Sequence, residues 1–255
     1  MARPRVLITG FGPFPGVSEN PSAWLAATLA EQGPPDCEGE LHARVLPTEW
    51  QAASLMPQLY ASLQPHVMIH FGLSQRATSW RIERTAHNRA ARRADASGAL
   101  PASTAIRADG PERFETTVPV PALAAHLRRC GLPAAASRSA GRYLCNFLYY
   151  HSLGWAARND CLAVFVHLPP LNGNGPFSEL ALVRGAQEIL RFVLDLRATV
   201  PGFGTHFTSP LEREADRSLI GREGGKPQTH SAPLTPFPGP PPRRGRGRPS
   251  LSAKG

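Results

Sequence analysis

The chain has 255 residues, of which 42% are hydrophobic and 18% charged, and its formal net charge is +9. This length allows one α/β domain with a substantial core, and two full domains would be cramped. Residues 211–255 carry nine Lys and Arg against four Asp and Glu, so +5 of the charge lies in the tail and does not indicate a nucleic-acid-binding domain. No signal peptide or membrane span is visible, which predicts a soluble cytosolic protein.

The four cysteines, Cys37, Cys130, Cys145 and Cys161, form no CxxC pair and no His-Cys cluster. We therefore expect no zinc site, and no disulfides in a reducing compartment. An unpaired cysteine is most often a small buried apolar residue, so a functional role needs support from neighbouring residues.

Strand and helix patterns alternate along the first third of the chain. They predict a strand over 5–9, a helix from an Asn20 cap to Gly33, a strand over 42–46, a helix over 48–59 with a kink at Pro57, and a strand over 66–72. The last of these is nearly all apolar, as is typical of a central parallel strand, and His70 within it is interpreted as a core histidine. Residues 80–88 alternate weakly and predict an edge strand, in which Glu83 would ordinarily be a solvated charge.

The remaining patterns complete the domain. They predict an exposed, mobile Arg- and Ala-rich segment over 89–106, a helix over 118–130, a helix beginning near Gly141, a strand over 163–170, a loop over 172–176, and a helix from a Ser178 cap to Leu196. Together the elements predict an α/β fold over residues 1–200, a three-layer α/β/α sandwich with a mostly parallel twisted sheet.

Residues 201–255 differ in character from the rest of the chain. They are rich in Pro, Gly, Ser and Arg, which predicts a disordered basic C-terminal tail. Residues 246–249, Arg-Gly-Arg-Pro, resemble the AT-hook, a minor-groove binding motif, although chance accounts for one short copy more readily. An alternative function is therefore a catalytically weak or inactive protein that binds an anionic partner through this tail.

Cys145 and His167 are candidates for a nucleophile and its base. The predicted helix near Gly141 puts Cys145 in its first turn, where free backbone N–H groups and the helix dipole favour a thiolate. The strand over 163–170 delivers His167 near its carboxyl end, the edge at which ligands bind in open α/β sheets. This arrangement is compatible with nucleophilic catalysis.

The loop after the first strand reads Gly10-Phe11-Gly12-Pro13-Phe14. A dinucleotide-binding loop is not expected, because the third glycine is missing and Pro13 interrupts the turn. Phe11 and Phe14 are either ordinary core residues or the walls of a small apolar pocket at the top of the sheet.

Taken together, five blocks of the chain resemble the pyroglutamyl-peptidase I (pyrrolidone-carboxylate peptidase) family of cysteine peptidases. They are Gly10-Phe11-Gly12-Pro13-Phe14, Asn20-Pro21-Ser22, Glu83-Arg84, the run from Ala140 to Asn146, and Val166-His167-Leu168-Pro169. The resemblance covers about residues 5–196. It implies a cytosolic exopeptidase that removes N-terminal pyroglutamyl residues from peptides and uses no cofactor and no metal.

The resemblance also implies residue roles. Cys145 matches the nucleophile, His167 the general base, and Glu83 the carboxylate that orients the histidine. The substrate-binding positions that match are Phe11, Phe14, Leu73, Tyr143 and Leu144.

Arg93 has the offset of a family arginine that lies close to the active site and is a candidate oxyanion contact. The residues that follow it, Ala94-Asp95-Ala96-Ser97, depart from the family's Ile-Pro-Asp-Asn. Several relatives are tetrameric, so a homo-oligomer is considered, although no interface can be identified from the sequence.

Overall fold

The computed structural model describes residues 3–171 and 175–199. The strands are β1 Arg5–Phe11, β2 Glu40–Leu46, β3 Val67–Leu73, β4 Trp80–Glu83, β5 Thr85–His87, β6 Arg113–Glu115, β7 Ala134–Ser137 and β8 Leu162–Leu168. The helices are α1 Pro21–Glu31, α2 Trp50–Ser54, α3 Met56–Leu63, α4 Val120–Arg129, α5 Leu144–Ala156 and α6 Glu179–Thr199, with a 3₁₀ turn over Gly175–Phe177. The tail that was predicted to be disordered lies outside the described residues.

Six strands form the main sheet in the order β2-β1-β3-β8-β4-β7. Strands β2, β1, β3 and β8 are parallel, whereas β4 is antiparallel to β8 and β7 is parallel to β4. The central strands β3 and β8 are apolar and buried almost throughout, as strands covered on both faces must be. The predicted sandwich with a mostly parallel sheet is confirmed.

Helices cover both faces of this sheet. Successive strand residues point to opposite faces, so Val6 and Ile8 pack in the core under α1, α4 and α6, and Leu7 packs in the core under α2, α3 and α5. The two cores are separate layers of buried apolar side chains on either side of one sheet. Among the described residues, no helix is long and apolar enough to cross a membrane.

Predicted helix boundaries that depend on local capping are confirmed. The Asn20 side chain accepts a hydrogen bond from the Ser22 backbone N–H at the start of α1, and Ser178 Oγ accepts one from Ala181 at the start of α6. The kink expected at Pro57 is a complete break at Leu55, with Pro57 in the first turn of α3, because proline cannot continue the hydrogen-bond ladder of the preceding helix.

One strand prediction is wrong, and one strand was not predicted. The segment over 80–88 is not an edge strand: β4 lies between β8 and β7, and the chain then continues into β5 of a separate two-stranded sheet with β6. Strand β7 itself was not predicted, because its sequence Ala-Ala-Ala-Ser has no β-branched or aromatic residue.

Candidate active site

Cys145 is the second residue of α5 and lies in its first turn, as predicted. The helix begins at Leu144 rather than near Gly141, because Gly141 has φ +83°, a left-handed conformation that an α-helix cannot include. The backbone N–H groups of the first turn have no partner within the helix and can stabilise negative charge on sulfur. The Cys145 thiol is half-buried and forms no disulfide.

Asn146, next to Cys145, anchors the start of this helix. Its Oδ1 accepts a hydrogen bond from the His87 backbone N–H at 2.7 Å, and its Nδ2 donates to the carbonyls of His87 at 2.9 Å and Arg89 at 3.1 Å. Because Asn146 is fully buried, these bonds fix the position of the helix N-terminus against β5. The sequence analysis assigned Asn146 no role, since its partners lie almost sixty residues earlier.

His167 lies at the carboxyl end of β8 and bonds to a buried carboxylate. Its Nδ1 is 2.8 Å from Oε1 of Glu83, the last residue of β4. In the antiparallel pair, Arg81 aligns with His167, so Glu83, two residues further, points to the same face of the sheet.

Glu83 is not a solvated charge, contrary to the default interpretation from composition: it is 1% exposed. A carboxylate only accepts, so Nδ1 donates the hydrogen and the imidazole tautomer is fixed. The Glu83 backbone carbonyl also accepts a hydrogen bond from Tyr149 Oη at 3.0 Å, which ties β4 to α5.

His167 also hydrogen-bonds to Cys145. Since Nδ1 is engaged by Glu83, Nε2 is the nitrogen available to the thiol. Burial opposes charge on the imidazole, but negative charge on Cys145 and the hydrogen bonds from Cys145 and Glu83 outweigh it, so the pKa of His167 is raised to about 9. This shift favours a protonated imidazole at neutral pH.

A cavity of about 170 Å³ opens beside the Cys145 thiol, at the carboxyl ends of β1 and β3. Every predicted substrate-binding residue lines it, as do the candidate oxyanion contact and three polar residues that were not predicted. The lining consists of Phe11, Phe14, Asn20, Thr48, Leu73, Gln75, Arg93, Tyr143, Leu144 and Cys145. The structure thus brings the predicted residues together, while their individual roles remain predictions.

Asn20 and Thr48 hold the loop that carries the two phenylalanines. Asn20 Nδ2 donates to the Gly12 carbonyl at 3.1 Å, and Thr48 Oγ1 donates to the same carbonyl at 3.0 Å. Both side chains are buried, so they fix this loop against the start of α1. The Asn20 cap was visible in the sequence, but its second bond to the loop was not.

The segment after Glu83 forms one wall of the cavity. The guanidinium of Arg93 lies over the Tyr143 ring, with Cζ 4.8 Å from the ring centroid, and Tyr143 Oη donates to the Ala94 carbonyl at 2.9 Å. Trp50 packs edge-on against Tyr143 at 5.2 Å and its Nε1 donates to the Arg93 carbonyl at 3.1 Å. These contacts fix the position of Arg93 at the rim of the cavity.

This segment is mostly exposed, as predicted, but Asp95 is a buried exception. Its Oδ2 accepts a hydrogen bond from the Trp50 backbone N–H at the start of α2, and its Oδ1 accepts bonds from Ser97 N, Ser97 Oγ and Ala99 N. The carboxylate thereby caps α2, whose own Glu49 makes no side-chain cap bond. Ala90 and Asp95 are both at most 5% exposed, so the prediction of an exposed segment is wrong for them.

One further cluster lies on the other face of the sheet. His126 of α4 and its C-cap residue Cys130 lie beside Glu188 of α6, with possible ligand atoms within 4.8 Å of one another. The statement that the chain has no His-Cys cluster was therefore wrong: the His-x₃-Cys spacing on a predicted helix could have indicated it, although Glu188 is distant in the sequence.

In this α/β sandwich, hydrogen bonds link a thiol to an imidazole and the imidazole to a carboxylate, beside a small cavity. This is the arrangement of a cysteine hydrolase. A family model for pyroglutamyl peptidase matches residues 4–174. Pyroglutamyl-peptidase 1 of Homo sapiens is 33% identical over 201 residues, which cover 77% of this chain and 93% of the human protein. Pyrrolidone-carboxylate peptidase of Chromobacterium violaceum is 39% identical over 168 residues, which cover 64% of this chain and 77% of that protein.

Solved structures agree with these sequence matches. The pyrrolidone carboxyl peptidase from Thermococcus litoralis superposes with a TM-score of 0.68 at 29% identity and covers 77% of this chain and 96% of its own. The chain therefore belongs to the pyroglutamyl peptidase family, whose members are hydrolases of the cysteine peptidase type. The resemblance found in the sequence is confirmed.

Proposed function

We propose that this chain is a cysteine exopeptidase that removes N-terminal pyroglutamyl residues from peptides through a Cys145, His167 and Glu83 triad. The main support is that the His167 imidazole bonds to both Cys145 and Glu83 at the edge of a cavity that the predicted substrate-binding residues line. Family membership supports the same reaction.

Catalysis begins with the thiolate of Cys145 and the protonated imidazole of His167. The sulfur attacks the exocyclic carbonyl that joins the pyrrolidone ring to the next residue, and the carbonyl π electrons move to oxygen. Collapse of this tetrahedral species breaks the C–N bond, and His167 donates its proton to the leaving amine. Water, deprotonated by the now neutral His167, then hydrolyses the thioester and releases pyroglutamate.

Two groups stabilise charge during these steps. Glu83 holds the imidazole in one tautomer and stabilises its cation, because a buried carboxylate at 2.8 Å interacts strongly with the protonated ring. Arg93 is the cationic side chain in the cavity lining, and with the N-terminal backbone N–H groups of α5 it is our candidate for contact with the oxyanion.

Specificity for pyroglutamate follows from the size and polarity of the cavity. Phe11, Phe14 and Tyr143 wall a space of about 170 Å³, which suits a five-membered lactam between aromatic rings. The backbone near Leu73 binds the polar edge of the lactam. The free α-ammonium of an N-terminal glutamate would lose hydration in this cavity without a matching partner, because the described residues that line the cavity include no carboxylate, so this substrate is excluded.

We further propose that the protein acts in the cytosol and without a cofactor. All four cysteines are free thiols, and a catalytic thiolate is maintained most readily in a reducing compartment. The alternative, binding of an anionic partner, depends on a tail outside the described residues, and no described feature favours it.

The test is release of fluorophore from pyroglutamyl-aminomethylcoumarin by the full-length protein. Cys145→Ala should lower kcat by on the order of 10⁶-fold, as removal of a catalytic nucleophile does, with an unchanged circular dichroism spectrum. Cys37→Ser, a change at another half-buried free thiol, is the matched control and should keep full activity. A prolyl substrate should not be cleaved.

Iodoacetamide provides an independent measurement. It should inactivate the enzyme by labelling Cys145 ahead of the other three cysteines, since a thiolate is the reactive form. Equal labelling of all four thiols, or full activity of Cys145→Ala, would refute the assignment of the nucleophile.

A further inference from the structure

His126, Cys130 and Glu188 converge at the contact between α4 and α6. His126 lies in the last turn of α4, and Cys130, four residues later, is the C-cap residue of this helix, so the two side chains lie on the same side. Glu188 faces them from α6, with Oε2 3.0 Å from His126 Nε2 and 3.7 Å from Cys130 Sγ. The third side of the triangle, from Cys130 Sγ to His126 Nε2, is 4.0 Å.

These distances are close to those of a tetrahedral zinc site. Bonds of about 2.3 Å to sulfur and about 2.1 Å to nitrogen and oxygen, at tetrahedral angles, separate nitrogen from oxygen by about 3.4 Å and sulfur from either by about 3.6 Å. Each observed distance is within about 0.5 Å of its counterpart, so small side-chain rotations suffice to bring all three atoms to one ion. The fourth position would be filled by water.

The surroundings of the cluster suit a bound cation. Arg191 Nη1 donates to Glu188 Oε1 at 2.9 Å, which orients the carboxylate and leaves Oε2 directed at His126 and Cys130. His126 and Glu188 side chains are 26% and 19% exposed, so an ion can enter from solvent. A thiolate and a carboxylate together neutralise a divalent ion, so the bound cluster adds no net charge beside Arg184 and Arg129.

We propose that His126, Cys130 and Glu188 bind Zn²⁺ and thereby crosslink α4 to α6. Binding releases the Cys130 thiol proton to solvent, and the imidazole ligates through Nε2 with its remaining proton on Nδ1. A mixed sulfur, nitrogen and oxygen donor set in tetrahedral geometry favours zinc over the hard cations Mg²⁺ and Ca²⁺. The site is on the sheet face opposite Cys145 and takes no part in the proposed peptidase reaction.

The experiment uses full-length Cys145→Ala protein, so that the nucleophile cannot bind metal. We expect Co²⁺ titration to give one equivalent of binding with a thiolate-to-cobalt charge-transfer band, and Zn²⁺ to abolish that band by displacement. Cys130→Ser in this background should remove the band. Cys37→Ser, a half-buried thiol on the same side of the sheet, should leave it unchanged.

Glu188→Gln in the Cys145→Ala background distinguishes loss of a metal ligand from loss of the fold. It removes the carboxylate but keeps Cys130 and the shape of the side chain. It should weaken Co²⁺ binding by about 10-fold or more. Zn²⁺ should also raise the melting temperature of the Cys145→Ala protein and not that of the protein with Cys130→Ser added. Absence of the band in the Cys145→Ala protein, or a band that survives Cys130→Ser, would overturn the proposal.

Discussion

Gly72→Ala tests how closely the nucleophile is packed against the sheet. Gly72 aligns with His167 in the pairing of β3 with β8, and both residues face α5. A Cβ at this position would lie 3.2 Å from Cys145 Sγ, 2.9 Å from Phe165 Cζ and 3.1 Å from Phe165 Cε1. An ordinary contact between such atoms is about 3.5–4.0 Å, so both neighbours must move.

The movement is small, but it falls on the reacting atoms. The sulfur must shift by about 0.3–0.8 Å, and Phe165 cannot yield freely because it is fully buried and packs against the His167 ring at 4.8 Å. Since a misplacement of about 1 Å can cost about 100-fold in rate, we expect kcat to fall by about 10- to 100-fold with little change in KM. The added methyl group should also destabilise the fold by about 1–3 kcal/mol, which leaves the protein folded.

The assay is hydrolysis of pyroglutamyl-aminomethylcoumarin, with the melting temperature measured by circular dichroism and the rate of iodoacetamide labelling at Cys145. Gly154→Ala is the matched control, because a Cβ there would meet Phe114 Cε2 at a similar 3.2 Å, away from the thiol. Unchanged kcat and labelling rate in folded Gly72→Ala protein would refute the close approach of the thiol to this strand.

Two further predictions concern buried carboxylates. The pKa of His167 is raised to about 9, so activity that needs its protonated form should fall as the pH rises through that value. Glu83→Gln should move this alkaline limb of kcat/KM down by about 1–2 pH units, the equivalent of one charge-assisted hydrogen bond, and an unmoved limb would contradict the proposed role of Glu83. Burial alone would raise the pKa of Asp95, but hydrogen bonds from Trp50, Ser97 and Ala99 outweigh it and lower the pKa. The stability that Asp95 provides is therefore present at neutral pH and is lost as the pH falls below about 4. In urea unfolding, the Asp95→Asn protein should be about 1–3 kcal/mol less stable than the unmodified protein at pH 7. This difference should shrink in acid. A difference that is constant from pH 7 to pH 3 would contradict the hydrogen-bonded carboxylate.

The sequence predicts those parts of the fold that are encoded locally. Strong apolar runs such as β3 and β8, and caps such as Asn20 and Ser178, depend on neighbouring residues and were predicted within a few positions. Strand β7 has no local signal of its own and exists because it pairs with β4, which is distant in the chain.

The candidate active site also combines residues whose positions follow from local sequence with residues whose positions do not. The positions of Cys145 at a helix start and His167 at a strand end follow from local pattern. The burial of Glu83 and Asp95 does not, because their partners lie 84 and 45 residues away. Composition describes both carboxylates as solvated, and only long-range hydrogen bonds make their burial favourable.

The two short strands on one side of β8 bear on how the protein loses activity on heating. Glu83 is carried by a four-residue strand whose outer neighbour, β7, is another four-residue strand at the edge of the sheet, whereas the strands on the other side of β8 each have seven residues. Short edge strands open at a lower free energy than the extensively paired centre. Fraying of this edge would release the carboxylate from His167 while the parallel strands remain intact, so inactivation should begin as a local opening before global unfolding.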